Sequence, residues 1–336
     1  MNTFGNIYRL TNFGESHGPA IGGVIDGVPA GYDIDLAEIQ RQLDRRRTGQ
    51  SPTDSSRNET DKVKFLSGLY EGKTLGTSIG FVIENSDAKS RDYDACKNIY
   101  RPNHADYTYQ AKYGIRDYRG GGRASARETA VRVVGGTVAL QILKAQGIDI
   151  KAHISRIGTH TTPEEMLREI EQAKAEGDSV GGIISCNISG VPAGLGEPVF
   201  GKLQAMLASA MMSINAAKGF EYGSGFDSAY HRGSQLIDSP YFDKDSNRVR
   251  TRTNYSGGIQ GGISNGEDIY FNVAFKPVAT IMRPIETIDT ESNSTILRMH
   301  GRHDVCVVPR AVVVVEAMAA MTILDALLLS RATQLQ

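Results

Sequence analysis

The sequence has few cysteines, and they lack the spacing of a paired or metal-binding set. Cys96, Cys186 and Cys306 are odd in number and lie far apart in the chain. A disulfide framework uses an even number of cysteines in an oxidising compartment, and zinc sites need closely spaced ligands. Cysteine usage therefore argues against a disulfide scaffold and favours a reducing compartment.

The chain also lacks net charge of either sign. It carries 37 basic and 38 acidic residues, which gives a formal net charge of −1. This balance excludes a global attraction to nucleic acid or to an anionic membrane. The arginines are nevertheless clustered, with Arg41, Arg45, Arg46 and Arg47 in one group and a second group within 116–132. Local arginine in a neutral protein favours a small polyanion over a polymer.

Targeting and linker segments are missing as well. The first residues, MNTFGNIYRLTNFG, lack the basic start and apolar run of a signal peptide. The longest apolar stretch, 311–329, could span a membrane by length, but Glu316 and Asp325 interrupt it and its alanines and valines suit a buried helix. With no proline-rich or serine-rich linker, we expect one cytoplasmic domain, 1–336.

Glycine, by contrast, is abundant, with 37 residues, and three glycines stand together at 120–122. They open the segment RGGGRASARETAVRVVGG, in which Ser125 and Glu128 have the spacing of a capping box. Valines at helical spacing follow until Gly147, which predicts a helix. Glycines let a ligand approach the backbone, and a helix start directs N–H groups and a positive dipole at it.

Five arginines crowd this glycine segment, and they are Arg116, Arg119, Arg123, Arg127 and Arg132. Guanidinium groups bind phosphates and carboxylates with a geometry that lysine cannot give. The segment therefore predicts a pocket for a phosphate or a carboxylate. The alternative is a glycine turn before a core helix whose arginines are only solvated.

Valine- and isoleucine-rich segments and capped helical patterns both occur along the chain, which predicts a mixed α and β fold. The predicted strands are 20–28, 78–84, 181–188 and 268–275, and further predicted helices are 36–47 and 163–175. The pentapeptide GVPAG occurs at 27–31 and again at 190–194, each time after a strand with a Gly-Gly pair. It indicates two related halves, about 1–150 and 151–336, although two similar turns could also arise by chance.

Two short motifs resemble catalytic or phosphate-binding signatures but lack the required context. Residues 14–18 match the G-x-S-x-G nucleophile elbow of serine hydrolases, but Pro19 and a strand follow Ser16 where a helix is needed. A phosphate loop ending at 72–74 would need a glycine at position 67, which is Ser67. A serine hydrolase that uses Ser16 remains an alternative function, and a nucleotide-binding loop is not supported.

Three histidines lie in loops rich in glycine, arginine or acidic residues. They are His17 in GESHG, His104 in RPNHADYTY and His303 in GRHD. Histidine exchanges a proton near neutral pH, so these residues are candidates for acid–base chemistry. The spacing of His300, His303 and Asp304 is not that of common zinc helices, and we predict no metal.

The chain resembles the chorismate synthase family over nearly its whole length. The resemblance is carried by FGESHGPAIGGVIDGVPAG at 13–31, RGGGRASARETAVRVVGG at 119–136 and GRHDVCVVPRAVVVVEAM at 301–318, with shorter matches at 101–109, 190–198, 212–219 and 257–266. It implies an α+β sandwich of antiparallel sheets covered by helices, with internal duplication. It also implies a lyase of the shikimate pathway, which eliminates phosphate from 5-enolpyruvylshikimate 3-phosphate to give chorismate with reduced FMN (FMNH2). Members are commonly homotetramers, and an external flavin reductase or NADPH would supply electrons.

The resemblance also implies roles for individual residues. His17 would protonate the leaving phosphate, His104 would protonate the reduced flavin, and Asp304 would take a proton from ring nitrogen 5. The substrate anions would be bound by Arg46, Arg47, Arg119 and Arg123. The cofactor would be bound by Arg123, Ala124, Ser125, Asn215, Ala216, Gly261, Lys276, Pro277, Val278, Ala279, Thr280 and Arg302. A non-catalytic flavin- or phosphate-binding module is a further alternative.

At four places the sequence differs from the family pattern, and these differences affect which residue roles can be carried over. Ala124 stands where a serine is usual, and Val278 and Ala279 replace the polar residues of Lys-Pro-Thr-Ser-Ser. Backbone contacts to a cofactor would survive these changes. Asn103 replaces a glycine before His104, and because asparagine tolerates left-handed backbone conformations we expect an unchanged loop. Pro52 stands where some members carry an arginine, so that contact is not transferred.

Overall fold

Antiparallel strands and helices follow one another in a computed structural model that describes residues 1–49, 59–87, 93, 96–299 and 304–333. The strands are β1 (Thr3–Phe4), β2 (Arg9–Gly14), β3 (Ala20–Asp26), β4 (Val63–Phe65), β5 (Leu69–Tyr70), β6 (Lys73–Thr74), β7 (Ile79–Glu84), β8 (Asp149–Ile157), β9 (Gly182–Ser189), β10 (Ala217–Tyr222), β11 (Pro240–Asp243), β12 (Arg248–Thr251), β13 (Ile259–Gln260), β14 (Ile263–Ser264), β15 (Ile269–Phe275), β16 (Ile285–Ile288) and β17 (Ser294–Leu297). The helices are α1 (Leu36–Arg46), α2 (Asp106–Tyr113), α3 (Thr129–Ala145), α4 (Pro163–Ala175), α5 (Leu203–Met212) and α6 (Val308–Ser330).

Two antiparallel sheets carry the longer strands, in the orders β1-β2-β3-β7-β4 and β10-β15-β9-β8. In β15, every second residue from Ile269 to Phe275 is buried, as expected when one face of a sheet covers the core. Helix α3 packs on the first sheet, α6 packs on the second, and the two helices pack on each other. The predicted α+β fold with antiparallel sheets and packed helices is confirmed.

The close approach of α3 to α6 depends on Gly136. A Cβ atom at this position would lie 2.2–2.3 Å from Ala317 of α6, which is far inside van der Waals contact. By length and composition α6 could cross a membrane, but 78% of its most apolar window is buried inside the protein. The prediction of a buried helix at 311–329 is thus confirmed, with its ends at Val308 and Ser330.

The two halves of the chain repeat one order of elements. The first half runs β2, β3, α1, β4, β7, α3, and the second runs β8, β9, α5, β10, β15, α6. The corresponding strands also occupy corresponding places, because the inner order β2-β3-β7-β4 of one sheet matches β8-β9-β15-β10 of the other. Hairpins β5–β6 and β13–β14 precede β7 and β15 in the same way. This agreement supports one domain built from two related halves.

The repeated GVPAG loops are held by equivalent hydrogen bonds. Thr74 Oγ1 donates to the carbonyl of Pro29 at 2.7 Å and accepts at 3.0 Å from the N–H of the residue after the loop. Ser264 Oγ donates to the carbonyl of Pro192 at 2.6 Å and accepts at 2.9 Å from the corresponding N–H. Each hydroxyl lies on the second strand of a short hairpin, Thr74 on β6 of β5–β6 and Ser264 on β14 of β13–β14. Chance similarity of two turns does not explain this shared environment.

One local prediction needs correction. Ser125 caps the N–H of Arg127 at 3.3 Å, but Glu128 does not return to the Ser125 N–H as a capping box requires. Instead the Glu128 carboxylate accepts from Asn12 Nδ2 at 2.7 Å and pairs with Arg132. The Glu128 side chain thus contacts β2 instead of the Ser125 backbone N–H. A short 3-10 turn, Ala126–Glu128, precedes α3.

Candidate active site

The predicted site residues lie in loops that correspond between the two halves. The loop between α1 and β4 carries Arg47, and its counterpart between α5 and β10 carries Asn215 and Ala216. The loop between β7 and α3 carries His104 and the glycine segment, and its counterpart between β15 and α6 carries 276–280 and Asp304. Equivalent loops emerge at equivalent places in a repeated fold, so the repeat accounts for how distant sequence segments meet.

His17 lies in the turn between β2 and β3, packed against the glycine loop. A Cβ atom on Gly120 would lie 2.3–2.4 Å from the His17 ring, and one on Gly122 would lie 2.7 Å from a carboxylate oxygen of Glu15. Both glycines also have positive φ angles, of 61° and 53°. A side chain at either position would separate the loop from the turn. Partial burial raises the pKa of the Glu15 carboxyl, which lies two residues before His17 in the chain.

Ser16 in the same turn is 2% exposed. The chain continues from this turn into β3, without the helix that a nucleophile elbow requires. Both observations argue against Ser16 as a nucleophile.

The five arginines of the glycine segment are tied to the protein itself. Arg116 donates to the backbone carbonyls of residues 96, 97 and 99, and Arg123 donates to Asn12 and to the Gly14 carbonyl. The other three form ion pairs: Arg119 with Asp117, Arg127 with Asp61, and Arg132 with Glu128. The alternative in which these side chains are only solvated is wrong. Several of these arginines therefore hold loops of the protein in place.

Two buried carboxylates are each shared by two arginines. Asp61 pairs with Arg46 at 2.6 Å and with Arg127, and Asp106 pairs with Arg101 at 2.7 Å and with Arg116 at 3.2 Å. Burial alone would raise the pKa of each carboxyl, but the guanidinium groups outweigh it, and both pKa values are lowered. Each trio keeps one positive charge in excess, which favours a nearby anion.

A small cavity of about 60 Å³ joins residues from both halves. Its lining includes Arg46 from α1, Ala126 before α3, Asn215 and Ala216 after α5, and Arg310 of α6. Three buried atoms on this lining, Arg46 Nε, Arg310 Nε and Asn215 Oδ1, have no hydrogen-bond partner in the part of the chain that the structure describes. Buried polar atoms are normally satisfied, so unsatisfied ones mark a place for water or a ligand. The two arginines suit an anionic group, whereas the Asn215 oxygen requires a hydrogen-bond donor.

Asn215 also borders a larger cavity of about 810 Å³, together with Arg123, Glu128 and Arg132. This volume is in the range of small-molecule sites. Asn215 Nδ2 donates to the Ala124 carbonyl at 3.0 Å, which joins two predicted cofactor segments. Because that contact uses the backbone, the loss of the usual serine hydroxyl at Ala124 leaves it intact.

The loop carrying His104 is joined to the predicted cofactor segment 276–280. His104 Nε2 lies 3.2 Å from Thr280 Oγ1, and Lys276 Nζ donates to the Asn103 carbonyl at 3.1 Å. Asn103 has a φ of 58°, which explains how asparagine substitutes for glycine there. Burial and the neighbouring Lys218 lower the pKa of Lys276. Two adjacent ammonium groups favour an anion between them.

The remaining predicted residues are distributed more widely. Ser179 donates to the backbone carbonyl of Val278 at 2.8 Å, so this substituted position also acts through its backbone. Arg47 lies 3.5 Å from Asp44, and Asp304 forms an ion pair with Arg310. The turn of β13–β14 holds Gly261. Arg302, His300, His303 and Pro52 lie outside the described residues.

Sequence reasoning missed four residues that organise the site. Asp61, Asp106, Arg101 and Arg310 are buried or nearly so and form the ion pairs described above. A signal existed for Arg310, which lies six residues after Asp304 near the start of a predicted helix. No sequence spacing joins Asp61 to Arg127, because 66 residues separate them.

These residues fit an anionic aromatic cofactor. The unsatisfied Asn215 Oδ1 could accept from a ring N–H, and the Lys276–Lys218 pair could bind a phosphate. Ala216 has a φ of 67° and its carbonyl accepts from Lys276 N at 3.0 Å, which fixes the backbone of both segments. Among the described residues, no group of three or more His, Cys, Asp and Glu could hold a metal ion.

A repeated α+β fold with arginines on the lining of two cavities is typical of proteins that bind small anions. Comparison with known proteins identifies the class more closely. The family profile described as chorismate synthase matches residues 8–328. The chain therefore belongs to the chorismate synthase family, whose members are enzymes.

Individual relatives agree along the full length. Chorismate synthase from Parabacteroides distasonis is 56% identical, covering 98% of this chain and 99% of the relative. The Phocaeicola vulgatus protein of the same name is 55% identical over the whole of both chains. A crystal structure of chorismate synthase superposes with a TM-score of 0.76 at 30% identity, covering 97% of this chain and 92% of that one.

Proposed function

We propose that this protein converts 5-enolpyruvylshikimate 3-phosphate to chorismate by 1,4-elimination of phosphate with reduced FMN, as a carbon–oxygen lyase. The observation that carries the proposal is that Arg46, predicted to bind substrate, and Asn215, predicted to bind the cofactor, line one cavity of about 60 Å³, which has room for a single small group of a ligand. Full-length identity above 50% to proteins named chorismate synthase supports it further.

The charge distribution supports a substrate with one phosphate and two carboxylates. The trio around Asp61 leaves one positive charge in excess beside the cavity, whereas the charge of Arg310 is balanced by its ion pair with Asp304. Arg123 is held by the uncharged oxygens of Asn12 and Gly14, so its charge also acts on the surroundings. These positive charges would hold the substrate anions and stabilise the phosphate as it leaves.

The proposed proton carriers lie on the loops that border these charges. His17 would hold the proton that the departing phosphate takes, and its packing against Gly120 fixes the ring. His104, next to Thr280, would hold a proton at the cofactor side. Asp304 would receive a proton there, and Arg310 keeps its carboxylate oriented.

Reduced FMN, when bound, supplies transient electron donation that makes the carbon–oxygen bond breakable without net redox change. Residues 123–125, Asn215, Ala216, Gly261, 276–280 and Arg302 would hold it. We expect electrons from an external flavin reductase, and NADPH oxidation by the purified protein would contradict this.

We propose a cytoplasmic homotetramer. Large apolar side chains are exposed just before α5 and between β10 and β11, with Phe200, Phe226 and Tyr230 each at least 75% exposed. Surface apolar residues of this size commonly mark subunit contacts. Light scattering would give the mass of the assembly, and a monomer would contradict the proposal.

The test is an anaerobic reaction of protein, photoreduced FMN and 5-enolpyruvylshikimate 3-phosphate. We expect release of phosphate with an equal amount of chorismate, and no requirement for added NADPH. Tight binding of flavin and substrate without phosphate release would indicate a non-catalytic module. Labelling of Ser16 by a fluorophosphonate would instead favour the hydrolase alternative.

A further inference from the structure

Asp61 has a backbone conformation that an aspartate rarely adopts. Its φ is 48°, in the left-handed region, and its side chain is completely buried. Non-glycine residues in this region are uncommon, and such strain persists only where surrounding contacts impose it. The residue follows α1 and precedes β4, at the edge of the proposed substrate site.

The contacts that impose this conformation are two ion pairs. One Asp61 oxygen accepts from Arg46 Nη2 at 2.6 Å, and the other accepts from Arg127 Nη1. Arg46 is 5% exposed, and its Nη1 contacts the Ala126 carbonyl at 3.4 Å. One N–H of each Nη atom is thereby used by the protein, and the buried Nε has no partner among the described residues.

We propose that Asp61 is a positioning residue, which holds the Arg46 guanidinium against the 60 Å³ cavity, where its charge attracts an anionic group of the substrate. The inference rests on the proposed function and extends it to a residue that does not itself contact substrate. Arg127 is the second anchor of the carboxylate, and it also donates to Asn85 Oδ1 at 2.9 Å. Arg127 thus ties Asp61 to the end of β7 and limits its movement.

Asp61→Asn is a suitable test because asparagine accepts left-handed backbone and keeps the shape of the side chain. The variant retains both arginines and their charges but loses the carboxylate that orients them. We expect KM for 5-enolpyruvylshikimate 3-phosphate to rise about tenfold, in line with loss of a charge-assisted contact, while kcat changes less than threefold. A purely structural role would lower the thermal stability and leave KM unchanged.

Asp325→Asn is the matched control. Asp325 is 1% exposed and accepts from Asn6, Ile7 and Tyr8, which anchors the N-terminus away from the cavity. This variant should lose stability but keep the wild-type KM. Asp61→Gly is the second test variant, since glycine adopts the same φ without strain and also lacks the carboxylate. It should reproduce the rise in KM; because both variants leave two buried arginines without their carboxylate, KM is measured below the melting temperature of each.

A second readout separates this proposal from the proposed function. Inorganic phosphate at millimolar concentration should raise the melting temperature of the wild type and of Asp325→Asn, and raise it at most half as much in both Asp61 variants. This result would support the positioning role even if the wild type produced no chorismate. Equal phosphate protection in all four proteins, or wild-type KM in a folded Asp61 variant, would overturn it.

Discussion

The two halves share one order of elements but differ in the connection between their first two strands. In the first half, β2 and β3 are joined by a short turn that carries Glu15 and His17. In the second half, β8 and β9 are joined by a longer segment that contains α4. His160 lies in this segment and is 3.6 Å from Glu169 of α4, an exposed surface pair. One turn therefore faces the glycine loop, and its counterpart covers the outside of a sheet.

This difference shows how a repeated frame can produce an asymmetric site. The helix-to-strand loops of both halves reach the small cavity, but they bring different chemistry. The first half contributes Arg46, which Asp61 holds, whereas the second contributes the neutral Asn215 and Arg310, whose charge is balanced by Asp304. We infer that the first half mainly binds the substrate anions and that the second half mainly holds the cofactor.

The largest expected effect concerns the histidines. His17→Ala and His104→Ala should each slow turnover about 10²-fold or more, the range for general acid–base groups. The control is His160→Ala, at the corresponding connection of the second half, which should stay within twofold of the wild-type rate. Stopped-flow chorismate formation under anaerobic conditions measures all three. A near-wild-type rate in His17→Ala or His104→Ala would refute the role of that histidine.

The next effect concerns the stability of the loop that carries His104. Asp106→Asn leaves Arg101 and Arg116 buried without their carboxylate, and it should lower the free energy of unfolding by about 3 kcal/mol at neutral pH. The pKa of Asp106 is lowered in the folded protein, so this stabilisation is present above the ordinary aspartate pKa and is lost as pH falls through the folded value. Thermal unfolding of wild type and variant should therefore still differ near pH 4 and converge only below the folded pKa of Asp106, which lies under the ordinary aspartate value of about 3.9. A constant difference across that range would contradict the assignment.

A smaller effect should separate the ligands of the two halves. Arg46→Ala should weaken substrate binding by about tenfold or more and change FMN binding less, because a charged hydrogen bond is lost. Asn215→Ala should show the opposite order. Calorimetric titration with oxidised FMN and with substrate provides both constants. Equal losses of both ligands in Arg46→Ala would mean that its assignment to substrate is wrong.

The smallest effect tests the repeat itself. Thr74→Val and Ser264→Ala each remove the hydroxyl that bridges a GVPAG loop, and each should cost about 1–2 kcal/mol of stability. Because the two environments match, the losses should agree within about 0.5 kcal/mol. Denaturant unfolding of the two variants measures them. A large loss in one variant only would show that the loops are equivalent in shape but not in energetics.

Local patterns in the sequence predict much of the frame. The predicted helix 163–175 matches α4 at both ends, and four predicted strands match β3, β7, β9 and β15 within two residues at each end. Hydrophobic periodicity and turn residues act over short distances along the chain, so helices and strands can be predicted from the sequence. The GVPAG repeat similarly pointed to corresponding loops.

The site was less predictable, because its ion pairs join distant segments. The arginines near the glycine loop were predicted to bind a ligand, yet most of them hold loops through carboxylates and carbonyls elsewhere in the chain. Glu128 shows the same effect, since Asn12 competes for the carboxylate that a local capping box would use. Such choices depend on tertiary contacts and cannot be derived from spacing alone.

The most direct test of this account is a structure of the protein with oxidised FMN and 5-enolpyruvylshikimate 3-phosphate bound together. The account predicts ligand atoms within about 4 Å of both Arg46 and Asn215, so that corresponding loops of the two halves enclose them. It also predicts that the phosphate lies on the His17 side. Ligands bound elsewhere, for example in the 470 Å³ groove beside Phe226, with the cavity between Arg46 and Asn215 filled only by water, would contradict it.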